Sequence, residues 1–189
     1  WLRDSGLAEA ISRFAADGGT VVGICGGYQM IGARILDPDG VESASRETAG
    51  LGLLPVETCF SRDKTLLRTR PRWLESGEEL EGYEIHHGDT HLIEGTPGPS
   101  RETAMLPAVV DQGGRALGYR RGAVWGSYLH GLFDADGFRR SFLNGLRRRR
   151  GLAPLAPTAR SSLDAELARL AQAVEANVEL GAIMAELDL

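Results

Sequence analysis

The sequence predicts an α/β fold: an open, mostly parallel sheet flanked by helices, with additional antiparallel strands. Three observations predict it. A helical periodicity near the start leads into a β-branched run, then a glycine turn, then helix again, which is the order of parallel strands joined by crossovers. From Gly50 to about Arg121 the chain is instead a series of short extended runs between turn signals. One more apolar strand follows, and helix then returns to the end.

In order along the chain, Leu7, Ile11, Phe14 and Ala15 recur at helical spacing, and Gly18-Gly19 supplies the stop. Thr20 to Ile24 is a short β-branched run and is expected as a buried strand. Cys25-Gly26-Gly27 breaks it, and Tyr28 to Ile35 is expected as helix. Extended segments are expected over Leu51–Phe60, Gly82–His91, Ala104–Val110 and Ala116–Arg120, with a Gly/Pro surface loop over Glu94–Arg101. A strand over Ala123–Leu129 ends at His130-Gly131, and Asp136–Arg150 is expected as helix. Residues 1–152 would form one domain. Residues 153–189 would be a proline-bearing linker, Ala153–Thr158, and a helix from Ser161 that packs on that domain through Leu163, Leu167, Leu170 and Val174.

A chain of 189 residues suits a domain of ordinary size that can bury a real core. The formal charge of −5 does not favour nucleic acid, which normally meets a basic face. The one basic block, Arg147 to Arg150, reads as a solvated helix end where cations suit the dipole. No stretch is long and apolar enough to span a membrane, and no secretory signal is visible. Two cysteines without metal or redox spacing fit a reducing cytoplasm. The chain begins on Trp1 and opens directly on a helix pattern, so it is expected to be part of something longer.

Gly23-Ile24-Cys25-Gly26-Gly27 has the form Gly-x-nucleophile-x-Gly at a strand-to-helix junction, with cysteine in the serine position of a nucleophile elbow. Glycines are expected there because side chains would collide with the adjoining strand and helix. The helix N-terminus would favour the thiolate. The Gly26 N–H would stand ready for an oxyanion formed by attack at a carbonyl. The alternative for Cys25 is a buried thiol beside a glycine turn, and for Cys59, in a strand-like run, a packed core thiol is the expected role.

A cysteine nucleophile commonly works with a histidine. His130 follows directly on an apolar strand, and in open α/β sheets ligands bind beyond the carboxyl ends of strands. The alternative is a turn histidine bonded to backbone. Strand alternation puts Glu84 and His86 on one face and Tyr83, Ile85 and His87 on the other, so a Glu84–His86 pair is a candidate for catalysis or for organising a loop. His91 reads as a surface residue. No metal-ligand spacing is present, so no metal is expected.

Five runs resemble a known family: GICGGYQMIG from Gly23 to Gly32, DPDGVES from Asp37 to Ser43, GLGLLP from Gly50 to Pro55, GYEIHHG from Gly82 to Gly88, and GSYLHGLFD from Gly126 to Asp134. Together, over Trp1 to about Asn144, they are similar to the C-terminal glutaminase domain of the cobyric acid synthase family. The resemblance implies a flavodoxin-like glutaminase fold. It implies hydrolysis of glutamine to supply ammonia for ATP-dependent amidation of adenosylcobyrinic acid a,c-diamide in cobalamin biosynthesis. Cys25 would be the nucleophile and His130 the base, and Gln29 matches a position that often contacts the glutamine substrate.

No cofactor is implied for this domain. ATP, Mg and the corrinoid would belong to an N-terminal synthetase domain, and the domain's first strand and glycine loop, which in the family precede the position of Trp1, would supply a second oxyanion N–H. Leu132 stands where many glutaminases place a glutamate two residues after the histidine, which leaves the third member of the set open between Glu84 and Asp134. Other readings are the glutaminase part of a different amidotransferase (cobyrinic acid a,c-diamide synthase or cell-wall precursor amidation), a cysteine hydrolase, and a catalytically incomplete assembly module.

Overall fold

The structure, a computed structural model, describes residues 1–93, 104–156 and 163–186. Two compact units divide the chain, Trp1–Leu155 and Ala156–Leu189. The first begins with α1 (Leu7–Ala16), β1 (Val21–Ile24), α2 (Gly26–Ile31), β2 (Arg34–Leu36) and β3 (Glu47–Ala49). It continues with β4 (Val56–Thr69), β5 (Arg72–Trp73), β6 (Glu78–Glu79), β7 (Gly82–Leu92), β8 (Leu106–Val110), β9 (Ala116–Arg121), β10 (Val124–Ser127) and α3 (Asp136–Arg149). The second unit holds α4 (Leu163–Asn177) and α5 (Leu180–Glu186). In it Leu167, Leu170 and Val174 of the expected apolar stripe are exposed. The segments 94–101 and 157–162, where a loop and the start of the last helix were expected, lie outside the described residues.

The α/β class with antiparallel additions is what the molecule has, in two mixed sheets. One orders its strands β1-β10-β9-β8-β5-β6, the other β3-β2-β4-β7. Among the described residues, parallel pairing is confined to β1 with β10 and β2 with β4. The middle of the chain is joined by short connections, and such connections make antiparallel ladders.

Helix α2 is shorter than the sequence suggested, because Gly32 adopts an extended conformation and Arg34-Ile35-Leu36 then pairs with Glu57-Thr58-Cys59. Strand β4 starts after Pro55 and runs to Thr69, well past the expected end at Phe60. A bulge between Cys59 and Lys64 resets its register against β7. Cys59 is only half-buried, since the strand carries it toward this irregularity. The arginine block ends α3 as expected, with Arg147 donating to the Ala153 carbonyl at 2.6 Å.

Two apolar clusters build the core. One centres on Trp125, whose ring meets Trp73 edge-on at 4.8 Å between centroids and lies 5.9 Å from Phe142. The other gathers Tyr28, Ile31, Leu54, Val56, Val124 and Tyr128 under α2. Strand β10 contributes to both, so it is fixed on both faces before it delivers His130. Among the described residues no helix is long and apolar enough to cross a membrane.

Candidate active site

Cys25 caps α2 with φ 51° and ψ −114°, and among the described residues it is the one non-glycine residue with positive φ. A side chain held in that region stores strain of order 1–3 kcal/mol, and such strain gathers at functional sites. The turn is pinned by its neighbours: Cys25 N–H donates to the Ser127 carbonyl at 2.9 Å, and the Cys25 carbonyl accepts from Gln29 N–H at 3.1 Å.

The flanking glycines do not share one role. A Cβ at Gly23 would lie 2.7 Å from the Gly27 carbonyl oxygen and 2.8 Å from Ile31 Cδ1, whereas a Cβ at Gly27 would meet nothing within 4 Å. The expectation of crowding at both positions is thus corrected. Only the first glycine lets the strand and helix approach; the second faces open space. Gly23→Ala is therefore expected to cost about 2 kcal/mol of stability. Gly27→Ala should leave stability within about 1 kcal/mol of the parent. Denaturant melts of the two variants check the contrast.

Parallel pairing of Ile24 with Ser127 brings the carboxyl ends of β1 and β10 side by side. Cys25 follows the first strand and His130 lies three residues past the second. Strand β7 crosses both. The Cys25 thiol donates to the Ile85 carbonyl at 3.5 Å. His130 N–H donates to the Tyr83 carbonyl at 2.8 Å, and Tyr83 N–H returns a bond to the His130 carbonyl at 3.2 Å. The Tyr83 ring stacks on the imidazole at 5.0 Å between centroids with planes 6° apart. A Cβ at Gly82 would overlap the His130 carbonyl oxygen, so glycine there permits this close approach. His130 Nε2 is buried without a hydrogen-bond partner among the described residues.

Electrostatics depart from the sequence expectation in one respect. Burial pushes the Cys25 thiol up from its ordinary range, and the Gly26 N–H directed at the sulfur only partly offsets it. The sulfur lies 3.5 Å from the Ile85 carbonyl oxygen, placed to donate to it as a thiol. Helix α2 has six residues, too short for a large dipole effect.

Gln29 is buried, and its amide nitrogen donates to the Tyr128 hydroxyl at 3.3 Å. That hydroxyl also bonds Thr90 Oγ1 at 2.6 Å, which in turn bonds Thr58 Oγ1 at 2.7 Å.

Glu84 and His86 do share a face, and both are buried. His86 Nε2 lies 3.3 Å from Glu84 Oε2, and His86 Nδ1 lies 2.9 Å from the Gly88 carbonyl oxygen. Burial works to raise the Glu84 carboxyl, but hydrogen bonds from His86 and Arg115 outweigh it and hold the group below the usual carboxylate range. Neither Glu84 nor Asp134 bonds the His130 imidazole. Asp134 is exposed in a 3-10 turn, and Leu132 is buried in the core. His91 is exposed.

Sequence reasoning missed Tyr83, Tyr128, Thr90 and Arg115. Alternation along β7 placed Tyr83 opposite Glu84, but nothing in the sequence brought it to His130. Among the described residues no group of three or more His, Cys, Asp or Glu is arranged to hold a metal ion. A cavity lined by Thr20, Trp73 and Ala123 opens at the amino ends of β1 and β10, away from this chemistry.

Comparison with known proteins shows the family. A family model for the CobB/CobQ-like glutamine amidotransferase domain matches residues 1–138. A cobyric acid synthase of Gloeothece citriformis is 42% identical over 191 residues, covering 98% of this chain and 38% of that protein. One from Syntrophobacter fumaroxidans is 46% identical over 168 residues, covering 84% of this chain and 32% of that protein. The chain thus spans well under half the length of these curated relatives. A solved structure described as a glutamine amidotransferase superposes with a TM-score of 0.53 at 16% identity, over 77% of this chain and 70% of that one, which is a likeness of fold. With the family model extending over most of its length, the chain belongs to the CobB/CobQ-like glutamine amidotransferase domain family.

Proposed function

We propose that this chain is the glutaminase part of a cobyric acid synthase, and that Cys25 and His130 hydrolyse glutamine to supply ammonia. The observation that carries the reading is the strained Cys25 turn at the end of a strand paired in parallel with the one leading to His130. Both residues are in contact with β7.

In the proposed reaction, glutamine displaces the thiol from the Ile85 carbonyl and the sulfur proton passes to the His130 imidazole. The thiolate attacks the side-chain amide carbon, and the oxyanion takes a hydrogen bond from Gly26 N–H. As the C–N bond breaks, the imidazolium gives its proton to the leaving nitrogen and ammonia departs. Water, losing a proton to the same imidazole, attacks the thioester. Cys25 is released with glutamate. Gln29 helps seat the substrate.

Ammonia then serves an ATP-dependent amidation of adenosylcobyrinic acid a,c-diamide in cobalamin biosynthesis. The corrinoid, ATP and Mg are handled by the remainder of the synthase, in the cytoplasm. The names of the relatives support this choice of acceptor.

The test is labelling with an electrophilic diazoketone analogue of glutamine. One equivalent on Cys25, blocked by excess glutamine, is expected, with Cys59 unmodified. Label on Cys59, or labelling indifferent to glutamine, overturns the assignment.

A further inference from the structure

His130 has no carboxylate two residues on, since Leu132 is buried in the core there. The contacts described for its imidazole and backbone come from β7: the paired bonds with Tyr83 and the stacked Tyr83 ring. The Cys25 thiol rests on the next-but-one carbonyl of the same strand. The β1–β10 pairing brings the two residues side by side, and β7, which touches both, bears on how the thiol and the imidazole are set within that frame.

The opposite face of β7 is what fastens it. Glu84 is wholly buried, with Oε1 taken by Arg115 at 2.6 Å and Oε2 by the same guanidinium at 3.2 Å. Arg115 stands on the β8–β9 turn, anchored by its Nε to Asp111 at 3.0 Å. His86 continues the chain of contacts: it bonds Glu84 and stacks on Tyr128 at 3.7 Å between centroids, and Tyr128 leads on to His130. A buried carboxylate persists only where its charge is met, and a two-point guanidinium contact fixes orientation as well as charge. The second sheet is thus tied to the first by one ion pair directly behind the candidate site.

We infer that Arg115 is a positioning residue for glutamine hydrolysis. Its bidentate pair with Glu84 holds β7 at the height where Ile85 and Tyr83 set the gap between the Cys25 sulfur and the His130 ring. Arg115 touches neither reacting group and acts through the backbone of residues 83–85. This inference rests on the reading that Cys25 and His130 carry out the hydrolysis. Arg115 is also the practical lever, because its side chain is 49% exposed and replacing it opens no cavity in the core.

The experiment uses the full-length enzyme with Arg115→Met, Arg115→Lys, Glu84→Gln and the Arg115→Met/Glu84→Gln double variant. Five quantities are read: kcat and KM for glutamine hydrolysis, the saturating rate at which the diazoketone analogue labels Cys25, synthesis driven by added ammonium, and the melting temperature. Arg115→Met is expected to lower kcat and the labelling rate together by about 10- to 100-fold, the scale of a misplaced reacting pair. KM should change much less and ammonium-driven synthesis should stay near the parent's, while melting falls because Glu84 is left buried without its cation and recovers in the double variant, where the buried side chain is uncharged. Arg115→Lys, which keeps the charge but loses the fork, should recover part of the rate. The double variant should be no worse than the poorer single one, as for two halves of one contact.

Parental kcat and labelling in Arg115→Met would overturn the inference, as would a loss matched by a proportionate fall in folded protein. A parent enzyme whose Cys25 takes no label would instead defeat the reading beneath it, and this inference with that reading.

Discussion

Cys25→Ala is expected to abolish glutamine-dependent amidation in the full-length enzyme while leaving synthesis from added ammonium intact. Removing a covalent nucleophile typically costs many orders of magnitude, and a loss of about 10⁴-fold or more is expected here. Alanine keeps a β-carbon at the same positive φ. The backbone strain is therefore unchanged, and the comparison isolates the sulfur. The control lies in the division of labour. If ammonia made here is consumed elsewhere in the enzyme, external ammonium bypasses the defect, whereas general misfolding would remove both activities. Initial rates with each nitrogen source decide the matter. Unchanged glutamine turnover in the variant would remove Cys25 from the chemistry.

Trp125→Ala should have the largest effect on stability, about 3–5 kcal/mol. The indole is 4% exposed and meets Trp73, Phe133, Phe138 and Phe142 within one aromatic cluster, so its loss leaves a cavity that rigid neighbours cannot close. A small domain is stable by only about 5–15 kcal/mol in total, and much of that margin would go. Urea unfolding should show a lower midpoint at nearly constant slope. Trp125→Phe, which keeps most of the apolar volume, should recover much of the difference. The effect reaches the site because Trp125 lies on the strand whose extension carries His130.

The parts of this molecule that were legible in its sequence are those written in local chemistry. A β-branched run broken at Cys25-Gly26-Gly27 can do little but turn, and the strained φ of Cys25 is the geometric expression of that spacing. Likewise, period-two alternation was enough to put Glu84 beside His86. What was not legible depends on tertiary partners. The length of β4 was hidden because Arg62, Asp63 and Lys64 lie on an exposed part of the strand, where no buried face imposes an apolar alternation. Which strands pair with which was hidden, because that is set by how the middle segments fold back. Arg115 was invisible because the need for it arises only once Glu84 is buried, and a glutamate in an extended run gives no sign of that. The upward push on the thiol was not legible for the same reason: it follows from enclosure, and the Ile85 carbonyl on which the sulfur rests lies 60 residues away in the chain.

That carbonyl has a chemical corollary. Peroxides and disulfides react with ionised sulfur far faster than with its protonated form. A sulfhydryl parked on a main-chain oxygen between turnovers is poorly nucleophilic toward such oxidants, and toward stray amides as well. On the proposed reading, the domain carries its most vulnerable atom in a dormant form until a seated amide takes away the oxygen on which it rested.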